Sequence, residues 1–192
     1  MTSILPFDEL NKFKLTVRER YGTERLRKDD TEGLHDIMDM MLDLFLLSYA
    51  MGNRVTNENL GADVSGKAWT PTAQDAETVI NRKIKDKTWR DRVREHFENG
   101  GTAEDLIRIA ETESHRDANE SAVQTATKAG AKTKTWTTMM DEKVRAQHSY
   151  LEGMTVSINE DFYTYDGDHA SAPGLFALPE NNINCRCELI FS

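Results

Sequence analysis

The sequence predicts an α+β fold: an N-terminal helical region followed by a long helix packed on a small antiparallel β-sheet. Three observations carry this. Apolar residues recur at helical spacing through most of the first hundred positions. After Gly130 the pattern turns to Thr-rich alternation in "KTKTWTTM" (132–139). The segment "CRCELIF" (185–191) alternates with period two and reads as a closing strand.

Residues 7–28 combine helix formers with charges and read as a first helix that stops near Gly22. Thr31 is placed to cap the second helix, where Leu34, Ile37, Met38, Met41, Phe45 and Tyr49 form an apolar stripe opposite Asp36, Asp39 and Asp43. Gly52 is the expected stop, and the polar stretch 53–70 the expected loop. A third helix is expected from Pro71, with Ile80, Ile84, Trp89, Val93 and Phe97 as its apolar positions. It is the most basic part of the chain, with Arg82, Lys83, Lys85, Lys87, Arg90, Arg92 and Arg94. These cations suit a solvated face paired with nearby carboxylates, or a contact to phosphate or an acidic protein surface. "ENGG" (98–101) ends that helix, and Thr102 with Asp105 reads as a capping box opening a long helix to about 129. Beyond the Thr-rich strand, "DEKVRAQHSYLEG" (141–153) reads as a short helix closed by Gly153, placing Asp141, Arg145 and His148 along one side. "MTVSI" and "DFYTYD" are further short strands, and "DGDHASAPGLFALPENN" a long loop. The expected division is a helical region over 1–101 and an α+β domain over 102–192.

Composition narrows the function classes. A net charge of −9 argues against a protein that coats nucleic acid, while leaving room for a local basic patch such as Lys83, Lys87, Arg90 and Arg94. The most apolar run, "MMLDLFLLSYAMG" (40–52), is too short for a bilayer and carries Asp43, so no membrane partner is expected. The N-terminus has no secretory pattern, which predicts synthesis in a reducing cytoplasm. No phosphate-binding loop, H-E-x-x-H or hydrolase triad order is present.

The two cysteines, Cys185 and Cys187, are one residue apart. On a strand their thiols project to one side. Three readings follow: small buried core residues, a zinc site completed by His148 with His115 as a further candidate ligand, or a reactive thiol served by a neighbouring base. In "TESHRDAN" (112–119), Thr112, His115 and Asn119 share one helical face, and Glu113 and Arg116 can pair.

The order of these motifs resembles the phage Mu F-like head morphogenesis proteins, also called minor capsid or minor head proteins. That family carries T-E-x-x-R-x-x-N on a helix, then W…D-x-x-x-R-x-x-H-x-x-x-x-G, then N-C-R-C before a last strand. The matching positions here are Thr112, Glu113, Arg116, Asn119, Trp136, Asp141, Arg145, His148, Gly153, Asn184, Cys185, Arg186 and Cys187. The similarity covers roughly 102–192, and "LSYAMGN" (47–53) is similar to a helix end upstream in such proteins. His115 falls at a variable family position, which leaves Glu113 or Asp141 as alternative metal ligands. Where many members have a Gly-rich segment before N-C-R-C, this chain reads "SAPGLFALPE". The resemblance implies a virion component in the capsid interior or at the portal vertex, with portal protein and other head proteins as partners and packaged DNA as a further contact. Glu113–Arg116 and Asp141–Arg145 are then expected as internal ties. The alternative is a small enzyme, nuclease or transferase-like, using His148, Glu113 and the arginines in an open cleft.

Overall fold

A computed structural model of the chain describes residues 4–63 and 71–192. It is an α+β fold with six α-helices, one short 3-10 helix (Pro179–Asn181) and five short strands among the described residues. α1 spans Phe7–Tyr21 and α2 spans Thr31–Asn59. The cap of α2 is Asp30 rather than Thr31: its carboxylate accepts the Gly33 N–H at 2.9 Å. Gly52 does not end this helix. Residues 53–59, expected in a loop, are its last two turns; of the rest of the expected loop, 60–63 are turn and irregular chain, and 64–70 lie outside the described residues.

The single helix expected from Pro71 is two helices, α3 (Ala73–Asn81) and α4 (Trp89–Glu98). Pro71 lies before the first cap rather than in the first turn. Each helix opens with a reciprocal box, Thr72 with Asp75 and Thr88 with Asp91, as does α5 (Ala103–Lys128) with Thr102 and Asp105. Between α3 and α4 the chain turns at Lys85, in a left-handed conformation (φ 52°), and Ile84 and Lys87 bond back to each other.

Apolar residues of α1, α2, α4 and the first half of α5 form one core, with Phe13, Val17, Ile37, Met41, Phe45, Trp89, Val93 and Leu106 at its centre. α5 then runs on to the second core, where its Val123 packs against the sheet. That sheet has the order β2–β1–β5, all antiparallel: β1 (Thr133–Thr137) lies between β2 (Thr155–Ser157) and β5 (Glu188–Phe191). β3 (Phe162–Tyr163) and β4 (His169–Ala170) make a separate ribbon. Trp136 pairs with Leu189 across β1 and β5 and is fully buried against Phe162, Phe176 and His148. The short helix α6 covers only Ala146–Leu151. Gly153 follows it and donates its N–H to the Trp136 carbonyl at 2.9 Å, fixing α6 to the sheet.

Candidate metal centre and buried charge cluster

The alternation expected of "CRCELIF" holds even though β5 proper begins at Glu188. Cys185, Cys187 and Leu189 are buried, and Arg186 points outward. Asn184 takes a left-handed turn (φ 58°) just before them. From α6, the His148 ring lies nearly parallel to Phe176 and edge-on to Trp136. Its Nδ1 faces both sulfurs, 3.5 Å from Cys185 Sγ and 3.4 Å from Cys187 Sγ. All three residues are buried, and both thiols are free.

The separation can be tested against a metal. With Zn–S near about 2.3 Å, Zn–N near about 2.0–2.1 Å and tetrahedral angles, N and S ligands stand roughly 3.6 Å apart. The observed 3.4 and 3.5 Å match that spacing. Two thiols and an imidazole, buried and within 4.8 Å of one another, could hold a metal ion. Soft sulfur with imidazole suits zinc far better than magnesium or calcium. The Cys185 thiol is opposed by burial, but its bond from Cys187 and the charges of Arg145 and Arg186 bring it below its ordinary value. Its neighbour Cys187 is raised by the bond to Cys185 and by burial.

His115 is placed behind this group. Its Nε2 is 2.8 Å from the Cys187 carbonyl oxygen and Asn119 bonds to its own carbonyl, so it props the cysteine main chain instead of joining the donor atoms. Burial lowers its pKa to about 4, which keeps the ring neutral. Its other nitrogen faces Gly174, where a side chain would press on Arg116 Cα at 3.1 Å.

Two expected ties differ. Asp141 and Arg145 do not pair, because the helix begins only at Ala146. Asp141 takes a bidentate contact from Arg186, at 2.7 and 2.8 Å, on the surface. Arg145 sits at the start of α6 and donates to the carbonyls of Glu180 and Ile183, holding the loop that leads into the cysteines.

Glu113 and Arg116 do pair, at 2.9 Å, as the core of a larger cluster. Arg92 of α4 also donates to Glu113, at 2.7 Å, and Arg116 donates to the Gly174 carbonyl at 2.6 Å. Arg82, at the end of α3, meets Asp117 at 2.6 Å and also reaches Glu120. Burial pushes the Glu113 carboxyl up, and Arg116 and Arg92 outweigh it, so its net shift is downward. Asp117 goes the other way: burial, with Glu113 nearby, raises it to about 8 against the pull of Arg82. The cluster joins α3, α4, α5 and the loop at Gly174. Thr112 beside it is buried, with no partner for its hydroxyl among the described residues.

Arg82 and Arg92, read from the sequence as part of a basic surface, are thus structural. The surface set is Lys83, Lys87, Arg90 and Arg94: Lys87 meets Glu95, Arg94 meets Asp91 at 3.3 Å, and Arg90 lies over the Trp89 ring. No sequence motif marks Asp168, whose carboxylate accepts the N–H groups of His169, Ala177 and Leu178 and the Asn181 amide. Asn182 bonds both main-chain groups of Phe176. These contacts link residues up to thirteen positions apart with no periodicity between them, so no local signal marks them.

A helix bearing the buried T-E-x-x-R-x-x-N is thus tied, through the Gly174 and Cys187 carbonyls, to the loop and the N-C-R-C segment of one small α+β unit. Residues 73–190 match the family model described as Phage Mu protein F like protein, and the chain belongs to that family. It is similar to Minor head protein GP7 of Bacillus phage SPP1, 33% identical over 85 residues, which are 43% of this chain and 28% of that protein. It is also similar to NAD(+)--arginine ADP-ribosyltransferase EFV of Enterococcus faecalis (strain ATCC 700802 / V583), 32% identical over 88 residues, 44% of this chain and 18% of that protein. The matched stretches span less than a third of the length of either curated relative. No solved structure matches the chain. Among the described residues, no helix is long and apolar enough to cross a membrane.

Proposed function

We propose that the protein is a phage minor head protein: a virion component made in the host bacterial cytoplasm that works with other head proteins and the portal protein in head assembly. The observation that carries this is the family match over 73–190, which takes in the buried Glu113–Arg116 cluster and the Cys185–Cys187–His148 group. The reading is structural rather than catalytic. Glu113 and Arg116 are each 3% exposed and bonded to one another, and His148 is held between two thiols and two aromatic rings. An enzyme would need such groups converging on solvent. The transferase similarity takes in only 18% of that relative. Mass spectrometry of purified virions, with co-elution of the protein and co-expressed portal protein, tests the role. Absence from virions together with separate elution would overturn it.

The exposed Lys83, Lys87 and Arg94, with the half-buried Arg90, make the surface that would meet packaged DNA or an acidic portal face. Duplex DNA affinity that falls steeply across a salt series, and falls uniformly in Lys83→Glu and Arg90→Glu, would identify DNA. Salt-independent or absent binding leaves a protein face.

The Cys185, Cys187 and His148 group is read as a zinc site, on the match of its N···S distances to tetrahedral coordination. Zinc there would join α6 to the segment entering β5 and add to folding stability. Metal analysis should give about one zinc per chain, lost in Cys185→Ser. No metal in the wild type would leave the thiols as packed core.

A further inference from the structure

We infer that a zinc ion held by Cys185, Cys187 and His148 keeps its fourth position for a small exogenous anion or water, and not for a side chain of this protein. The inference rests on the zinc reading above. Among the described residues, no other His, Cys, Asp or Glu donor joins the three-residue group. Each side chain that the sequence offered as a fourth ligand is engaged elsewhere. His115 Nε2 is on the Cys187 carbonyl, Glu113 holds Arg92 and Arg116, and both Asp141 oxygens are on Arg186.

Directly against the three ligand residues is an opening of about 10 Å³, bordered by Met139, Lys143, Arg145, Asn184 and Arg186. A space of roughly 10–15 Å³ is what one water needs. The space is of the size that admits water, hydroxide or a slender anion. Charge points the same way. Two thiolates neutralise a zinc dication and Asp141 balances Arg186, while Lys143 and Arg145, which bonds neutral carbonyls, leave positive charge at the mouth, favouring an anionic fourth ligand. The arrangement is that of zinc sites with three protein ligands and an exchangeable position, set here in a buried centre.

Cobalt(II) substitution tests this, because cobalt takes tetrahedral zinc positions and its visible absorption reports each ligand change. One cobalt should bind per chain, and the band should shift saturably with azide. Lys143→Ala should weaken azide at least about threefold through the lost charge. Asp141→Asn should leave the starting spectrum as in the wild type. Bound cobalt that ignores azide, or a spectrum altered by Asp141→Asn, would overturn the inference while sparing the zinc reading. A protein that binds neither cobalt nor zinc overturns both.

Discussion

Gly52 and Ala118 set the distance between α2 and α5. A Cβ on Gly52 would stand 2.9 Å from the Ala118 carbonyl carbon and closer still to its oxygen, so the two helices meet backbone to backbone. Helix propensity alone makes a mid-helix glycine a weakness of about 1 kcal/mol against alanine. Here close approach outweighs it. Gly52→Ala is expected to destabilise the protein by about 1–3 kcal/mol through forced separation of α2 from α5, measured by urea denaturation. A stabilised variant would show that the helices can part without cost.

The two acidic members of the family motif should differ sharply. Glu113→Ala leaves Arg92 and Arg116 facing each other without their shared carboxylate, and a loss of about 3–5 kcal/mol is expected. Asp141→Asn removes an exposed pair with Arg186, and a loss under about 1 kcal/mol is expected. Equal effects in thermal unfolding would contradict the assignment of Glu113 as the central tie.

Asp117 makes stability depend on pH. Its carboxyl is raised from 3.8 to about 8 by burial, so across that window the folded chain keeps a proton that the unfolded chain has released. Stability therefore falls as pH rises from about 4 to about 8, and this contribution is flat beyond either limit. Denaturation midpoints at pH 5 and pH 8 should differ less in Asp117→Asn than in the wild type. The same pH response in both proteins would remove Asp117 as its source.

Asp168 organises the loop before the cysteines through three N–H groups and the Asn181 amide. Asp168→Ala should cost about 2–3 kcal/mol and loosen Phe176 against Trp136. Amide exchange at Ala177 and Leu178 should rise. Unchanged protection there would show that the loop holds without it.

Chelation should act locally. With zinc bound, removing it should lower the melting temperature and alter emission from Trp136, whose ring meets His148, while Trp89 in the helical core reports little. Cys185→Ser should already be insensitive to the chelator.

Much of this was legible in the sequence where the signal is local. Period-two alternation put both thiols on one face, and T-x-x-D marked the start of α5. The same T-x-x-D stands at Thr72 and Thr88, so the split into α3 and α4 was also written there, but the continuous charge of 82–94 masked it. Charge counting also treated Arg82 and Arg92 as surface, although burial selects individual side chains within a basic run. Asp141 found Arg186 across 45 residues, a pairing that only the finished fold defines. Gly52 was read by propensity, and packing on α5 overrode it.

β5 has a consequence for how the chain is built during synthesis. Leu189 completes the wall over Trp136 more than fifty residues upstream, so β1 cannot gain its second neighbour until that late segment has been made. The helical core can gather earlier, from residues already translated. In between, a partly synthesised molecule presents Trp136, Phe162 and Phe176 beside an unpaired strand edge, the state in which a growing chain is most open to pairing with its neighbour on the same messenger.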